Sequence, residues 1–466
     1  MSRRRSWTPG KRKRARRKAE AALRERRRII QVSREREQTA YAGMVPMMEY
    51  ARQELKLEGR LNRGLHMKKG PSAVYSPLNE AVAYLGCQIG GILRLNHIDR
   101  LLPEGGLAEA LGLPQWMSEN TEQRFLKRAT EETLSGIDGI AQRLIVDEEL
   151  RWGQPGPIEV DGDVTGVPQR GRKREGVESG YCGGRARPCY QQPRVTVQGL
   201  VWWTDLRPGN DGCVDVPERT LETGSKLARE YPKREIFCRW DGQWASRGKL
   251  QEAQEAARKH SNLTYLVAIH ATQMAEGRWE ELVNQSSGPW KRVNSTTEIR
   301  ELGWVKPWED VKATRAVAVR REKRLPKGKK RKGKGERQWD LRYLIATEVP
   351  RKRLGTRKAF DRYHQREREE FSFKDGKQSL STAKMPTMKL QANRMHVKMV
   401  GLAQVMMQLF AKKFVPHPGP YGPMCKTIRE KVVAVGGKNQ AGSRGGDHPD
   451  LLRVPLVALP AGQGDR

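Results

Sequence analysis

Tyr363, Arg366, Glu370 and Lys377 stand at offsets of 0, 3, 7 and 14 residues within the run DRYHQREREEFSFKDGK. On an α-helix turning about 100° per residue, their side chains fall at about 0°, −60°, −20° and −40°, a stripe about 60° wide. One carboxylate then lies between two cations and a phenol. Such a face suits a metal-and-phosphate site, with the carboxylate for the metal and the cations for phosphate oxygens. The same run also reads as a solvated charged helix, because any stretch rich in Arg and Glu yields some same-face pairs. Partners elsewhere in the chain must decide between the two.

Three acidic positions are the candidates. Asp161 and Asp163 lie two apart in PIEVDGDVTG, an alternating stretch that reads as a strand, so both side chains share one face. Asp241 closes the strand EIFCRWDG. Acidic residues at strand ends, joined by Glu370 from a helix, can converge at the edge of an α/β sheet. Hard oxygen ligands suit magnesium, and two such ions about 3.5–4 Å apart serve phosphodiester chemistry.

The elements that would position these groups follow from periodicity. Residues 74–146 read as helical, with Leu78, Val82, Leu85, Ile89, Ile92 and Leu93 recurring at three- and four-residue spacing. SENTEQ is a capping segment for the last of these helices. From residue 157 strands alternate with helices: PIEVDGDVTG, RVTVQGLVWWTDL, ERTLETGSKLAREY, EIFCRWDG, SRGKLQEAQEAARKH and LTYLVAIHA. That rhythm predicts a partly parallel sheet flanked by helices. Between the first two strands lies a Gly/Arg-rich loop, RGRKREGVESGYCGGRARP. Residues 272–340 break the rhythm with five Trp and a basic low-complexity loop, KRLPKGKKRKGKGER. DLRYLIATEV reads as a strand, 353–377 as mostly helical, and MKLQANRMHVKMVGLAQVMMQLFAKKF as a long helix with one apolar face.

Composition narrows the partner. The chain of 466 residues has 89 Lys and Arg against 54 Asp and Glu, a formal charge of +35. A charge that large calls for a polyanion, with nucleic acid first. Residues 1–40 hold sixteen Lys or Arg and four Glu, about a third of the excess, and read as a disordered arm that pairs with phosphates. The six Cys form no C-x-x-C pair, which argues against a zinc ribbon or a secreted disulfide frame. Cys182 and Cys189 flank the Gly/Arg loop, but two Cys alone make no metal site. There is no apolar run of about 18 residues, so no membrane span is expected. The basic start has no apolar stretch after it, so no secretory signal is expected either, and a cytoplasmic setting follows.

Taken together, these blocks resemble the DDE transposases of bacterial insertion sequences, in the group marked by a Y-x2-R-x3-E-x6-K signature. Tyr363, Arg366, Glu370 and Lys377 match its four positions and three gaps. IEVDGDVTG resembles the family's first-Asp strand, with Asp163 and Thr165 in its D-x-T places. CRWDGQW resembles the second-Asp motif, with Asp241 and, at the aromatic position, Trp244. GRARPCYQQPRVTVQGLVWWTDLRPGNDG resembles the block between them, and LQANRMHVKMVGLAQ the helix after the signature, with Asn393 in the Asn place. The match covers roughly residues 80–412.

The resemblance implies an RNase H-like mixed sheet flanked by helices, with a β-rich insertion and a helical N-terminal domain. It divides the chain into a basic arm (1–40), a helical domain for DNA binding or dimerisation (41–150), a first part of the catalytic core (151–271), the insertion (272–340), the last part of the core (341–412) and a tail for interaction or disorder (413–466). Asp163, Asp241 and Glu370 would bind two Mg2+ ions, which Mn2+ could replace, with Asp161 the alternative to Asp163. Tyr363, Arg366 and Lys377 would contact DNA. The protein would act as a homodimer on the element's terminal inverted repeats and on target DNA, near the bacterial nucleoid. Some enzymes of this kind press an insertion-domain Trp against a flipped base, and Trp304 and Trp308 are the candidates by their place in the sequence alone. The alternative function is a DNA-binding protein of transposase descent that no longer cuts.

Overall fold

The structure is a computed structural model that describes residues 28–31, 41–70, 73–101, 105–151, 156–323, 338–415, 417, 422–434 and 438–441. The expected basic arm lies outside these residues apart from strand β1 (Arg28–Gln31), as do the basic loop 324–337 and the end of the tail.

The elements among the described residues of 41–151 are helical, as spacing predicts for 74–146. α1 (Met44–Gln53), α2 (Leu57–Gly64) and α3 (Pro77–Gly90) come first. Ser76 opens α3 with a reciprocal cap: its Oγ accepts the Asn79 N–H and the Asn79 side chain accepts the Ser76 N–H. α4 (Gly105–Ala110), α5 (Glu119–Lys127) and α6 (Glu131–Ile145) follow. Ser118 does precede α5, but its hydroxyl meets the Thr121 hydroxyl rather than a backbone N–H.

One sheet holds the rest together. Its strands are β2 (Ile158–Pro168), β3 (Glu178–Cys182), β4 (Arg185–Val197), β5 (Leu200–Thr204) and the short β6 (Arg207–Pro208). Helix α7 (Val216–Glu230) leads to β7 (Ile236–Trp240), and α8 (Arg247–Lys259) leads to β8 (Leu263–His270). β2, β7 and β8 are parallel, β4 is antiparallel to β2, and β5 pairs with the outer edge of β4. The order β5-β4-β2-β7-β8, with helical crossovers between the parallel strands, is the RNase H-like core.

After α9 (Arg278–Asn284) come β9 (Lys291–Asn294), β10 (Thr297–Val305), β11 (Thr314–Glu322) and β12 (Trp339–Thr347). β12 pairs antiparallel with β8, and β11, β10 and β9 follow outward. The β-rich segment is therefore a continuation of the central sheet. Two further local readings change. RVTVQGLVWWTDL is a hairpin and not one strand, because Gln198 and Gly199 both adopt positive φ and turn the chain from β4 into β5. The late helical stretch is two helices, α10 (Thr356–His364) and α11 (Glu367–Gln378).

Helix α12 (Leu390–Phe414) is buried on nearly every side from Ala392 to Ala411, and so has no solvent stripe. It packs on α3, α5 and α6 on one side and on β5 on the other, so the N-terminal helices and the sheet share one hydrophobic core. Residues 422–434 are also folded. The Cys425 N–H at the start of α13 (Cys425–Ile428) bonds the Asp375 carboxylate, and Arg429 donates to three backbone carbonyls. Beyond, β13 (Lys438–Ala441) pairs with β1.

Candidate active site

Alternation along β2 splits its side chains between two environments. On one face Gly162 lies so close to α7 that a Cβ there would sit 2.2 Å from the Thr220 hydroxyl. On the other face Glu159, Asp161, Asp163 and Thr165 form a polar row, and α10 and α11 lay a row of cations along it. Glu159 accepts from Arg362 at 2.9 Å and Arg368 at 3.3 Å. Thr165 Oγ1 accepts from Lys377 Nζ at 2.6 Å, and the Gly166 carbonyl accepts from the same ammonium at 3.0 Å.

The two candidate aspartates of β2 differ in what they touch. Asp161 is fully buried, and the buried Arg239 guanidinium of β7 spans it, Nε to Oδ1 at 2.5 Å and Nη2 to Oδ2 at 2.8 Å. Both carboxylate oxygens are therefore committed. Asp163 uses one oxygen to accept the Val164 N–H at 2.7 Å, and its other oxygen lies 3.4 Å from Arg366 Nη1. Asp241 follows β7 directly, caps the turn after it by accepting the Gly242 N–H at 2.6 Å, and stands 3.6 Å from Arg366 Nη2 with its side chain 40% exposed. Asp163 and Asp241 thus converge on one guanidinium. Both ion pairs are longer than a strong charge-assisted hydrogen bond.

Burial pushes the Asp163 carboxyl up to about 6; Arg366 opposes the shift, while Asp241 and Glu370 add to it. Arg366 is itself raised, the two aspartates and Tyr363 outweighing its burial. Tyr363 is buried, with its ring 6.0 Å from Tyr343 and 5.9 Å from the Arg366 guanidinium carbon, and burial pushes its phenol up.

The signature residues do not ride on one uninterrupted helix. Arg366, Arg368 and Glu369 N–H groups bond back three residues, to Tyr363, Gln365 and Arg366. Such 3₁₀ turns advance about 120° per residue instead of about 100°, so everything after the break is rotated forward. Glu369 is accordingly the buried acid of the pair, and Glu370 is exposed. Both Glu369 carboxylate oxygens lack a hydrogen-bond partner, and burial, with Asp163 and Asp161 nearby, holds its carboxyl well above the usual range. Sequence reading passed over Glu369, Glu159, Arg239 and Arg194. Only Glu159 had a local signal, as the first member of the alternating row. Arg194, paired across the ladder with Asp163, donates to the Ser372 hydroxyl at 2.9 Å, and burial lowers it to about 10.

The donor chemistry fits a hard cation, since two carboxylates already share one positive group. Among the described residues, however, no three His, Cys, Asp or Glu side chains lie close enough together to hold a metal ion. Of the two tryptophans singled out, Trp304 on β10 is 52% exposed, while Trp308 is half-buried and donates its indole N–H to the Gln273 carbonyl. All six cysteines are free and buried. Among the described residues no helix is long and apolar enough to cross a membrane.

The mixed sheet with its flanking helices is the RNase H-like fold of the DDE transposase class. The chain belongs to the family described as transposase DDE domain group 1, whose profile matches residues 24–444. That family uses divalent metal ions. A solved structure described as the piggyBac transposase synaptic complex with hairpin DNA is 14% identical, with a TM-score of 0.40 over 84% of this chain and 79% of its own. No curated protein matches the chain.

Proposed function

We propose that this transposase carries out the cutting and joining steps itself: metal-dependent cleavage at the ends of an insertion sequence, then strand transfer into target DNA. The observation that carries this reading is the convergence of Asp163 and Asp241, from neighbouring parallel strands, on Arg366 of the late helical pair. Asp163, Asp241 and Glu370 are the residues that would hold two Mg2+ ions, or Mn2+ in their place. Ions held there would supply Lewis-acid polarisation of the phosphodiester and stabilise the leaving oxygen.

The chain's own residues do the rest. Arg366 offers a planar, bidentate guanidinium to a phosphate. Lys377 steadies the end of β2 through Thr165 and Gly166 and brings positive charge to the strand being cut. Tyr363 backs Arg366 with its ring. Water attacks at the element's end, and the freed 3′-hydroxyl attacks the next phosphodiester in line. Two ends need two active sites, so the working form is a homodimer on paired inverted repeats, at the nucleoid of a bacterial cytoplasm. The exposed Glu370 favours one competing reading, a DNA-binding descendant that no longer cuts.

Cleavage of a duplex carrying the inverted repeat that brackets the gene separates the two readings. Asp163→Asn, Asp241→Ala and Glu370→Gln should each lose at least about 100-fold in Mg2+-dependent strand cleavage. Glu369→Gln should stay within about tenfold of wild type. Near-wild-type cutting by both Asp241→Ala and Glu370→Gln would overturn the proposal. Loss in Glu369→Gln with activity kept in Glu370→Gln would move the third ligand to the buried neighbour.

A further inference from the structure

The Gly/Arg-rich loop that sequence reading left without a role forms a built hairpin beside the candidate site. After β2, residues 169–177 lead into β3, and Gly183 and Gly184, both at positive φ, turn the chain into β4. The hairpin curls back onto the end of β2, against the face opposite Asp163 and Thr165. Cys182 lies against Gly166 so closely that a Cβ on the glycine would meet its Sγ at 2.7 Å. Gly166 is the residue whose carbonyl accepts from Lys377, three positions along β2 from Asp163. Arg187 Nη2, 3.6 Å from Cys182 Sγ, fastens the returning strand.

The surface this hairpin presents combines an exposed ring with free cations. Tyr181 is 73% exposed, more than any other large apolar side chain among the described residues. Arg170, Arg172, Lys173 and Arg185 are exposed, and among the described residues none of the four is engaged in an ion pair or side-chain hydrogen bond. Several cations elsewhere instead cross-link the fold: Arg362 and Arg368 at Glu159, Arg394 at Asp205, Lys398 at Asp138. Unpaired cations around an exposed ring fit a polyanion that also carries flat faces to stack on.

We propose that the hairpin around Tyr181 and Arg185, with Arg170, Arg172 and Lys173 of the preceding loop, grips DNA next to the phosphodiester that is cut. The cations hold backbone phosphates and the Tyr181 ring lies against a base or sugar. The inference rests on the transposase reading for its partner but concerns residues outside the acidic set. Of the acids in the segment, Glu175 stands 3.7 Å from Lys389, and Glu178 faces solvent, leaving the balance positive.

The test is fluorescence anisotropy of the full chain, in Ca2+ to suppress cutting, with a labelled duplex of about 30 base pairs, three turns of B-form helix. Arg170→Ala/Arg172→Ala/Arg185→Ala should lower the slope of log affinity against log salt by about 2.7, roughly 0.9 per phosphate released. Tyr181→Ala should weaken binding about tenfold with the slope unchanged. Arg229→Ala/Arg258→Ala, two exposed cations on the helices behind the sheet, is the control and should match wild type. Hairpin variants that bind with wild-type affinity and slope, or a control that loses as much as the triple variant, would overturn the hairpin assignment and leave the transposase reading intact. A wild-type chain that does not bind duplex at all would overturn both.

Discussion

Asp161 and Asp163 differ in sequence only by what surrounds them at a distance. Both face the same side of β2, yet Asp161 is clamped by Arg239, 78 residues away, and Asp163 keeps an oxygen turned toward Arg366 and Asp241. Their substitutions should therefore fail in different ways. Asp161→Asn leaves the buried Arg239 with Glu159 as its one carboxylate, beside the Arg362 carbonyl, and should cost about 3 kcal/mol of stability. Asp163→Asn removes a carboxyl that burial already disfavours in its charged form, so its urea midpoint should be unchanged or higher. Denaturation of both variants at pH 7 checks this, and the reverse order would exchange their roles. The pair was legible in sequence as a pair. The D-x-T resemblance favoured Asp163 as the ligand, but the clamp on Asp161 was not legible, because its cation lies on a strand far along the chain. Glu369 was hidden for a related reason: a three-residue 3₁₀ break rotates the helix, and no residue type between 363 and 369 announces it.

At the scale of elements, helices and strands were read well wherever their period was long and their ends were marked. β2, β7, β8, α7 and α8 all fall on stretches singled out by alternation or amphipathic spacing. The hairpin at Gln198–Gly199 was missed because glutamine is not among the residues that usually sit at positive φ in such turns. α12 was expected to have one apolar face, with its Lys and Gln residues off that face. Instead they are buried and bonded: Lys398 donates to Asp138 and to the Thr204 carbonyl, and Gln408 donates to Asp375. His396 on the same helix is fully buried between the Tyr84 hydroxyl of α3 and the Ser381 carbonyl, and burial lowers it to about 4. Since its folded value lies below the ordinary 6.5, the neutral form is the stabilising one. Its contribution is complete above pH 6.5 and is lost as pH falls toward 4, about 3 kcal/mol in all. Denaturant midpoints at pH 7 and pH 4.5 should show that loss in wild type and a smaller one in His396→Gln. Equal slopes in the two proteins would show that the histidine does not titrate across this window.

For the whole molecule, the decisive feature is that α12 serves two neighbours at once. Met395, Met399, Leu402, Met406 and Leu409 belong to a single core that also holds α3, α6 and the edge strand β5. A fragment lacking residues 41–150 should therefore not fold as a catalytic unit. It should show no cooperative thermal transition by circular dichroism and should aggregate at micromolar concentration, and a sharp transition would show that the core closes without those helices. Charge and motif order made the molecule's class readable, whereas this sharing of one helix was invisible, because contacts between residues some 260 positions apart leave no periodic trace. The sheet carries a consequence of another kind. From β7, where Asp241 follows, to β10, which bears Trp304, the backbone crosses four strand spacings, about 19 Å, each closed by hydrogen bonds. Those strands act as a fixed gauge. The spacing between the acidic pair and whatever the outer edge touches cannot stretch to suit a partner, so a DNA end with one nucleotide too many or too few between those two points has to deform itself to fit.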